Sequence, residues 1–290
     1  MIVPHSQAAA STLLRAMHAV HTVTPPTAPV LSEDMQKLVR EAEEAAAAAC
    51  TPEEISDTAR GSLYERAQTD GELLDEGVST LLGAVRPAKD AVFADLGSGR
   101  GGALFRIAAA TQWRHCFGIE VVESKHAAAQ HALRALTSSP LLRAPVTLMQ
   151  GDIVELGALA SAKGESDGDG VVLGDLTHAY ASSVCFDDLL LRAMARALAD
   201  RKAFPRFQSL VSLRALPSQP YLTLVGRLSL TCSWNANVRG HVYVPSDVCS
   251  RDAADRAVPL LAHCLCDSGV CSLPAALQPW GAGVYTRMPR

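Results

Sequence analysis

The residues best suited to chemistry lie in one stretch, residues 91–120. An apolar segment of strand length ends in Asp95-Leu-Gly-Ser-Gly-Arg-Gly-Gly, and a helix-type segment follows it. This layout of strand, glycine turn and helix is typical of a nucleotide site in a βαβ unit. Because Gly97, Gly99 and Gly102 also fit the dinucleotide fingerprint G-x-G-x-x-G, the glycines alone leave two ligand classes open.

Asp95 helps to separate these two classes. A carboxylate at the mouth of the turn repels a pyrophosphate, which binds to bare backbone N–H groups at a helix N-terminus. The same carboxylate suits a ligand that carries an ammonium and a sulfonium group. We therefore favour S-adenosylmethionine over a nicotinamide dinucleotide as the ligand of this turn.

Two further acids follow the next two apolar segments. Glu120 ends one of them, where a carboxylate can accept hydrogen bonds from both ribose hydroxyls. Asp152 follows the segment 146–149, where a carboxylate can bind the adenine amino group. Each acid taken singly is equally well explained as a surface or capping residue. Three acids after successive strands favour a class I methyltransferase site, because open α/β sheets bind ligands at that edge.

Composition and charge set bounds on the fold and the partner. The chain has 290 residues, 48% of them hydrophobic, which is sufficient for one large domain, and its net charge of −4 does not indicate a nucleic-acid binder. The charge is uneven, since residues 33–76 hold 13 acids and 4 bases, whereas residues 201–246 hold six bases and no acid. This asymmetry fits either a surface that faces an anionic partner or an ordinary solvated surface.

Cysteine usage and hydropathy give expectations about compartment, metal and membrane. The eight cysteines have no regular spacing, so we interpret them as reduced thiols of an intracellular protein. The cluster His263-Cys-Leu-Cys266 lacks the paired spacing of a zinc site, and we expect no bound metal. We expect no membrane partner, since no apolar run reaches the ~18 residues that a membrane span requires.

Helix and turn signals divide the chain into four parts. Residues 1–31 end in a proline-rich stretch and are predicted to be a disordered tail. Residues 32–68 contain two capped helix starts, which predict an acidic helical region. Residues 69–246 alternate strands and helices and end in a hairpin around residues 234–240. This pattern predicts an α/β Rossmann-like domain with a seven-stranded doubly wound sheet, parallel except for one strand. The remaining residues form a C-terminal appendage.

Together, these motifs resemble the non-SET histone-lysine methyltransferases of the Dot (disruptor of telomeric silencing) class. The resemblance covers residues 70–244, and the small trypanosomatid members of the class are similar in scale. Its elements in chain order are Gly71-Glu72, Asp95-Leu-Gly-Ser-Gly99, Phe117-Gly-Ile-Glu120, Gly151-Asp152, Ser182-Ser-Val-Cys-Phe186, Ser212-Leu-Arg-Ala-Leu, Ser233-Trp234 and Tyr243.

The resemblance implies an enzyme that transfers methyl from S-adenosylmethionine to a lysine in the core of histone H3 in nucleosomes. Such an enzyme would be a nuclear chromatin regulator, and the acid-free residues 201–246 would give it a weak DNA contact. The implied cofactor site consists of Gly71, Glu72, Asp95, Gly97, Gly99, Glu120, Asp152 and Ile153. The acceptor channel expected with it is lined by Ser182, Phe186, Trp234 and Tyr243. Each of these three aromatic residues can also be explained as core packing.

The chain departs from the family pattern at several positions. Ser182 and Ser183 stand where the family has paired asparagines, Asp70 stands where it has tyrosine, and Ile153 where it has phenylalanine. Serine is shorter and lacks the amide, so hydrogen bonding near the acceptor nitrogen must differ. Two alternatives therefore stay open. One is a class I methyltransferase acting on another protein or a small molecule, and the other is a non-catalytic protein that binds S-adenosylmethionine.

Overall fold

The computed structural model describes residues 32–41 (except 35 and 38), 72–137, 142–161 and 170–247. The described positions between 33 and 41 are helical, and Val39 packs into the core of the domain. The predicted tail 1–31, residues 42–68 of the predicted acidic helical region, Gly71 and the residues after 247 lie outside the described residues.

Seven strands form one sheet. Their bounds are β1 Val92–Leu96, β2 His115–Glu120, β3 Val146–Gln150, β4 His178–Ala181, β5 Ser209–Ser212, β6 Leu222–Cys232 and β7 Asn235–Pro245. The spatial order is β3-β2-β1-β4-β5-β7-β6, and β7 is antiparallel to both of its neighbours while all other pairs are parallel. The predicted class I methyltransferase sheet with a closing hairpin is confirmed.

Helices cover both faces of this sheet. They are α1 Asp75–Val85, α2 Gly102–Ala110, α3 Glu123–Thr137, α4 Leu156–Ser161 and α5 Asp188–Leu198. One core joins the sheet to α1, α2 and α3, and a second core on the opposite face joins it to α4 and α5. Within the described ranges, no helix is long and apolar enough to span a membrane.

The alternation of β1 determines which face receives the site. Phe93 belongs to the core beneath α1 and α2, whereas Val92, Ala94 and Leu96 belong to the core on the other face. Because side chains two residues apart share a face, Asp95 lies on the same side as Phe93. The strand is fully buried, so the carboxylate of Asp95 is carried into the interior.

The β6–β7 hairpin projects past the carboxyl edge of the parallel strands. His241 pairs with Ser212, the last residue of β5, so the six residues of β7 before His241 extend about 20 Å beyond it, at about 3.3 Å per residue. The sequence placed the turn over residues 234–240. The structure confines it to Ser233 and Trp234, because Asn235 already pairs with Cys232 and the polar residues that follow form the exposed rim of β7.

The start of α1 packs closely against this hairpin. Leu73 forms a β-bridge with Cys232, and the Leu74 N–H donates to the Thr231 carbonyl at 2.9 Å. Gly77 allows this approach, since a Cβ atom there would lie 2.4 Å from the Thr231 oxygen. The segment that carries Glu72 is thereby attached to the hairpin.

Alanine scanning of the two glycines in α1 tests this packing. Gly77→Ala should lower the free energy of unfolding by about 1–3 kcal/mol, because the new methyl group collides with a backbone oxygen that has little room to shift. Gly83→Ala on the same helix should raise it by about 0.5–1 kcal/mol, since nothing lies within 4 Å of its Cβ position. Urea unfolding of both variants provides the measurement, and equal effects would contradict the packing described.

Candidate functional site

The turn after β1 depends on its glycines. Gly97, Gly99 and Gly101 have φ values of +79°, +56° and +90°, a region that L side chains rarely adopt. The N–H groups of Gly97 and Ser98 both donate to the Ile119 carbonyl, at 2.8 and 3.0 Å, which ties the turn to β2. The result is a tight loop that a ligand can approach closely along its backbone.

Glu120 stabilises the same turn. Its side chain is buried, and its two carboxylate oxygens accept the N–H groups of Gly99 and Val122, each at 2.8 Å. Every carboxylate oxygen has a second lone pair, which can accept a ligand hydroxyl. Glu120 can therefore hold the turn and still bind the hydroxyls of a ribose.

Asp95 lies at the centre of the site. It is only 2% exposed, and its Oδ1 has no hydrogen-bond partner within the described part of the chain. Burial raises the pKa of this carboxyl well above its ordinary range, and the carboxylates of Glu72 and Glu120 raise it further. A buried acid close to two others is costly unless a cation binds there, so the arrangement suits a cationic ligand.

Glu72 reaches this edge through the hairpin. Its carbonyl accepts the Ser233 N–H at 2.8 Å, and its own N–H donates to the Ser233 hydroxyl at 3.1 Å. The structure therefore brings three predicted acids together from distant parts of the chain. A cation located among Glu72, Asp95 and Glu120 would face negative charge from three sides.

Asp152 and Ile153 follow β3 at the same edge. Asp152 is exposed, and its Oδ1 accepts the Val154 N–H at 2.9 Å, which caps a 3₁₀ turn over Ile153–Glu155. Ile153 is buried in the second core. The Gly151 N–H donates to the Glu120 carbonyl at 3.0 Å, so this segment is connected to the glycine turn through Glu120.

Of the predicted acceptor residues, Phe186 lies directly beside the glycine turn and Ser182 lies at the end of the neighbouring strand β4. Ser182 follows β4 and is partly exposed, while a Cβ atom on Gly97 would lie 3.0 Å from Cζ of Phe186. Ser183 is fully buried, with its hydroxyl bonded to that of Ser212 at 2.7 Å and accepting the Arg214 N–H at 2.9 Å. The two serines therefore differ in environment. The hydroxyl of Ser183 is buried and joins β4 to β5, whereas Ser182 is partly exposed at the end of β4.

The two remaining predicted residues lie in different environments. Trp234 is 46% exposed at the hairpin turn, next to the serine that holds Glu72. Tyr243 is buried opposite Leu210, two residues inside the edge, and its hydroxyl accepts the Leu216 N–H at 2.8 Å. The structure brings Trp234 to the carboxyl edge and places Tyr243 in the core beneath it. Their roles in an acceptor channel stay predictions.

Tyr180 is a site residue that sequence reasoning missed. It pairs with Asp95 on the neighbouring strand, is 1% exposed, and its hydroxyl has no hydrogen-bond partner among the described residues. Burial raises the pKa of this phenol well above its ordinary value, and Asp95 raises it further. The available signal was the two-residue period of β4, which puts His178, Tyr180 and Ser182 on one face.

Comparison with protein families adds an independent finding. Residues 63–141 match the family model for the histone methylation protein DOT1. The resemblance to the Dot class is confirmed over residues 70–141. The matched part includes the Glu72 segment, the glycine turn and Glu120. No match is found among curated proteins.

Several solved structures are similar in fold. A bacterial CtHen1 methyltransferase domain is 19% identical, with a TM-score of 0.35, over 47% of this chain and 63% of that chain. Precorrin 8W decarboxylase of Methanobacterium thermoautotrophicum is 18% identical, with a TM-score of 0.37, over 58% and 89%. MtNAS in complex with MTA and tNA is 10% identical, with a TM-score of 0.42, over 72% and 70%. This chain spans less than two thirds of the length of the first of these structures, the CtHen1 domain. None of the three similarities gives information about the substrate of this protein.

The match to the DOT1 family model and the strand order identify S-adenosylmethionine as the cofactor of this domain. The site fits that molecule, since Oδ1 of the buried Asp95 has no hydrogen-bond partner among the described residues and Glu72 and Glu120 lie near enough to raise its pKa. A ligand that carries an ammonium and a sulfonium relieves this concentration of negative charge.

Asp95→Asn tests the electrostatics of this site. A raised native pKa means that the folded protein binds this proton more tightly than the unfolded chain, so wild-type stability falls as pH rises above about 3.9 towards the native value. Asp95→Asn has no carboxyl at this position, so it does not lose stability in this way. The difference in the free energy of unfolding between the variant and wild type, measured by urea unfolding, should therefore shift in favour of the variant as the pH rises. Its affinity for S-adenosylmethionine should fall about tenfold or more in calorimetry at neutral pH.

The exposed acid Glu155 provides the control for that measurement. Glu155→Gln removes a carboxylate outside the cluster and should leave cofactor affinity unchanged. If the free energies of unfolding of Asp95→Asn and wild type changed with pH in parallel, the pKa of Asp95 would not be raised in the folded protein.

Proposed function

We propose that this protein transfers a methyl group from S-adenosylmethionine to a lysine in the core of histone H3 in nucleosomes, and that it acts in the nucleus. The observation that supports this most directly is the DOT1 family match over the segment that carries Glu72, Asp95 and Glu120. Ser182, Phe186 and Trp234 lie at the same edge of the sheet, where the acceptor must meet the cofactor.

The cofactor would be held by groups from four segments. Glu72 and Asp95 would face its ammonium, Glu120 would accept the ribose hydroxyls, and Asp152 would bind the adenine amino group beside Ile153. The backbone of Gly97 and Gly99 permits the close approach that this requires. When bound, S-adenosylmethionine supplies an electrophilic methyl group.

The acceptor side would orient and desolvate the lysine. An in-line displacement depends mainly on alignment and on exclusion of water. Apolar surroundings lower the pKa of an amine by disfavouring its charged form, so a channel of Phe186, Trp234 and Tyr243 would favour the neutral nucleophile. Ser182 is the serine of the pair positioned to contact the acceptor, since the hydroxyl of Ser183 is already used between β4 and β5.

The basic segment 201–246 is less positive in the folded protein than in the sequence. Arg201 pairs with Asp247 at 3.0 Å, Arg206 pairs with Asp90, and Arg214 pairs with Asp188 at 2.7 Å. Three of its six bases are thereby neutralised by acids from outside the segment. A DNA contact must depend on the others.

Arg227 and Arg239 are positioned for that contact on the hairpin. Arg227 lies opposite His241 and Arg239 opposite Ser229, which places both guanidinium groups on one face. Burial lowers the pKa of His241, and both arginines lower it further. Arg227 and Arg239 on this face are our candidate surface for nucleosomal DNA, and His241 lies buried beside them.

A second candidate function is methylation of another protein or a small molecule. The serines at positions 182 and 183 favour it, because the Dot-class paired amides are absent and the hydroxyl of Ser183 is already bonded to that of Ser212. A protein that binds the cofactor without turnover is the third alternative.

Labelled methyl transfer distinguishes these functions. We expect label from S-adenosylmethionine on histone H3 of reconstituted nucleosomes, and none with Gly97→Arg, because that side chain fills the turn beside Phe186. Label on another substrate, with nucleosomes unlabelled, would support the second candidate. Cofactor binding without label on any substrate would contradict an enzyme.

The hairpin surface is tested by the salt dependence of nucleosome binding. Replacing both Arg227 and Arg239 by alanine should reduce the slope of log K against log salt by about 1.8, if each arginine contacts one phosphate. Replacing Arg201 and Arg206 by alanine is the matched control, since both already pair with acids. Equal changes in the two double variants would exclude the hairpin as the specific contact.

A further inference from the structure

Tyr180 and Asp95 are direct neighbours on adjacent parallel strands. The register of β1 and β4 pairs these two residues, and Phe93 pairs with His178 two positions earlier. Paired residues in a sheet lie about 4.8 Å apart and point to the same face. Both side chains therefore project into the space beneath α1, on the side of the sheet that holds the other acids.

Each of the two side chains has a buried polar atom without a hydrogen-bond partner. Oδ1 of Asp95 and the hydroxyl of Tyr180 are unpaired among the described residues, although both side chains are at least 98% buried. Ser182 lies near the phenol without forming a hydrogen bond of normal geometry. Buried polar groups in proteins are nearly always paired, so two neighbouring exceptions indicate a place where a ligand supplies the partners.

The two unpaired atoms have opposite chemistry. An ionised carboxylate only accepts hydrogen bonds, whereas a phenol needs an acceptor for its proton. Burial and the nearby Asp95 raise the pKa of Tyr180, which keeps the phenol protonated as a donor. The best-matched ligand presents a cationic donor and an anionic acceptor on adjacent atoms. An α-amino acid group has both, as its ammonium and its carboxylate.

We propose that Tyr180 is a cofactor-binding residue whose hydroxyl donates a hydrogen bond to the methionyl carboxylate of S-adenosylmethionine, beside the ammonium held by Asp95. This inference rests on the proposed function, since it requires that cofactor. It adds to the site a strand residue that no motif indicated. Its position also explains why a polar group occurs within an otherwise apolar core around Phe93 and Val211.

Tyr180→Phe isolates the hydroxyl, because the ring that packs in the core is retained. The matched ligands are S-adenosylmethionine and its decarboxylated analogue, which keeps the ammonium and the sulfonium. We expect the variant to bind S-adenosylmethionine about tenfold or more weakly than wild type does, the effect of losing one hydrogen bond to a charged group. The variant and the wild type should bind the decarboxylated analogue with equal affinity. Titration calorimetry measures all four dissociation constants.

Thermal unfolding of the unliganded protein separates binding from folding. Removing an unpaired buried hydroxyl should leave the Tm of Tyr180→Phe unchanged or raise it. A purely structural role would lower it. Tyr221→Phe is the matched control, because Tyr221 directly precedes β6 at the end of the sheet opposite to the carboxyl edge. This variant should bind both ligands as wild type does.

The outcomes distinguish failure of this inference from failure of the proposed function. Suppose that wild type binds S-adenosylmethionine. The role of Tyr180 alone would be overturned if Tyr180→Phe lowered the affinity for both ligands equally, or lowered neither affinity. If wild type binds neither ligand, the proposed function itself fails.

Discussion

A negative charge buried without a counter-charge is the constraint around which the carboxyl edge of this sheet is organised. Asp95 lies within the central strand, and Glu72 and Glu120 lie near enough to raise its pKa beyond the effect of burial. Glu120 is compensated by two backbone N–H groups, but Asp95 has no such partner for Oδ1. An unliganded site of this kind is destabilising, and a cationic ligand relieves it.

The hairpin connects the two halves of the candidate site. Its turn residue Ser233 bonds the Glu72 backbone twice, through its own N–H and through its hydroxyl, and its neighbour Trp234 is exposed at the same place. The start of α1 is held to the hairpin at Gly77 and to α2 by the ion pair between Asp75 and Arg106, at 3.3 Å. A movement of the hairpin would therefore change the cofactor side and the acceptor side together.

The two serines at which the chain departs from the Dot-class pattern have different environments in the folded protein. Ser183 is a structural residue that links β4 to β5, whereas Ser182 faces the edge, so the two serines are not equivalent replacements for two amides. Tyr180, two residues earlier, adds a hydroxyl beside Asp95. Tyr180 and Ser182, two residues apart, thus project to the same side of the sheet.

The sequence by itself determined the fold class, the glycine turn and the acids after successive strands. These features are local, because burial of a strand and a left-handed turn are recorded in neighbouring residues. The buried strand His178–Ala181 and the cap of α5 by Asp187 are local features of the same kind.

Only the tertiary structure decided which side chains meet. The acid-free segment predicted a positive surface, yet Asp90, 116 residues before Arg206, neutralises part of it. The pairing of Tyr180 with Asp95 depends on the crossover that makes β4 the neighbour of β1. The extension of β7 through the predicted turn depends on pairing with β6. Contacts between distant segments leave no periodic trace in the sequence, because each residue's pattern reports its own burial and not the identity of its partner.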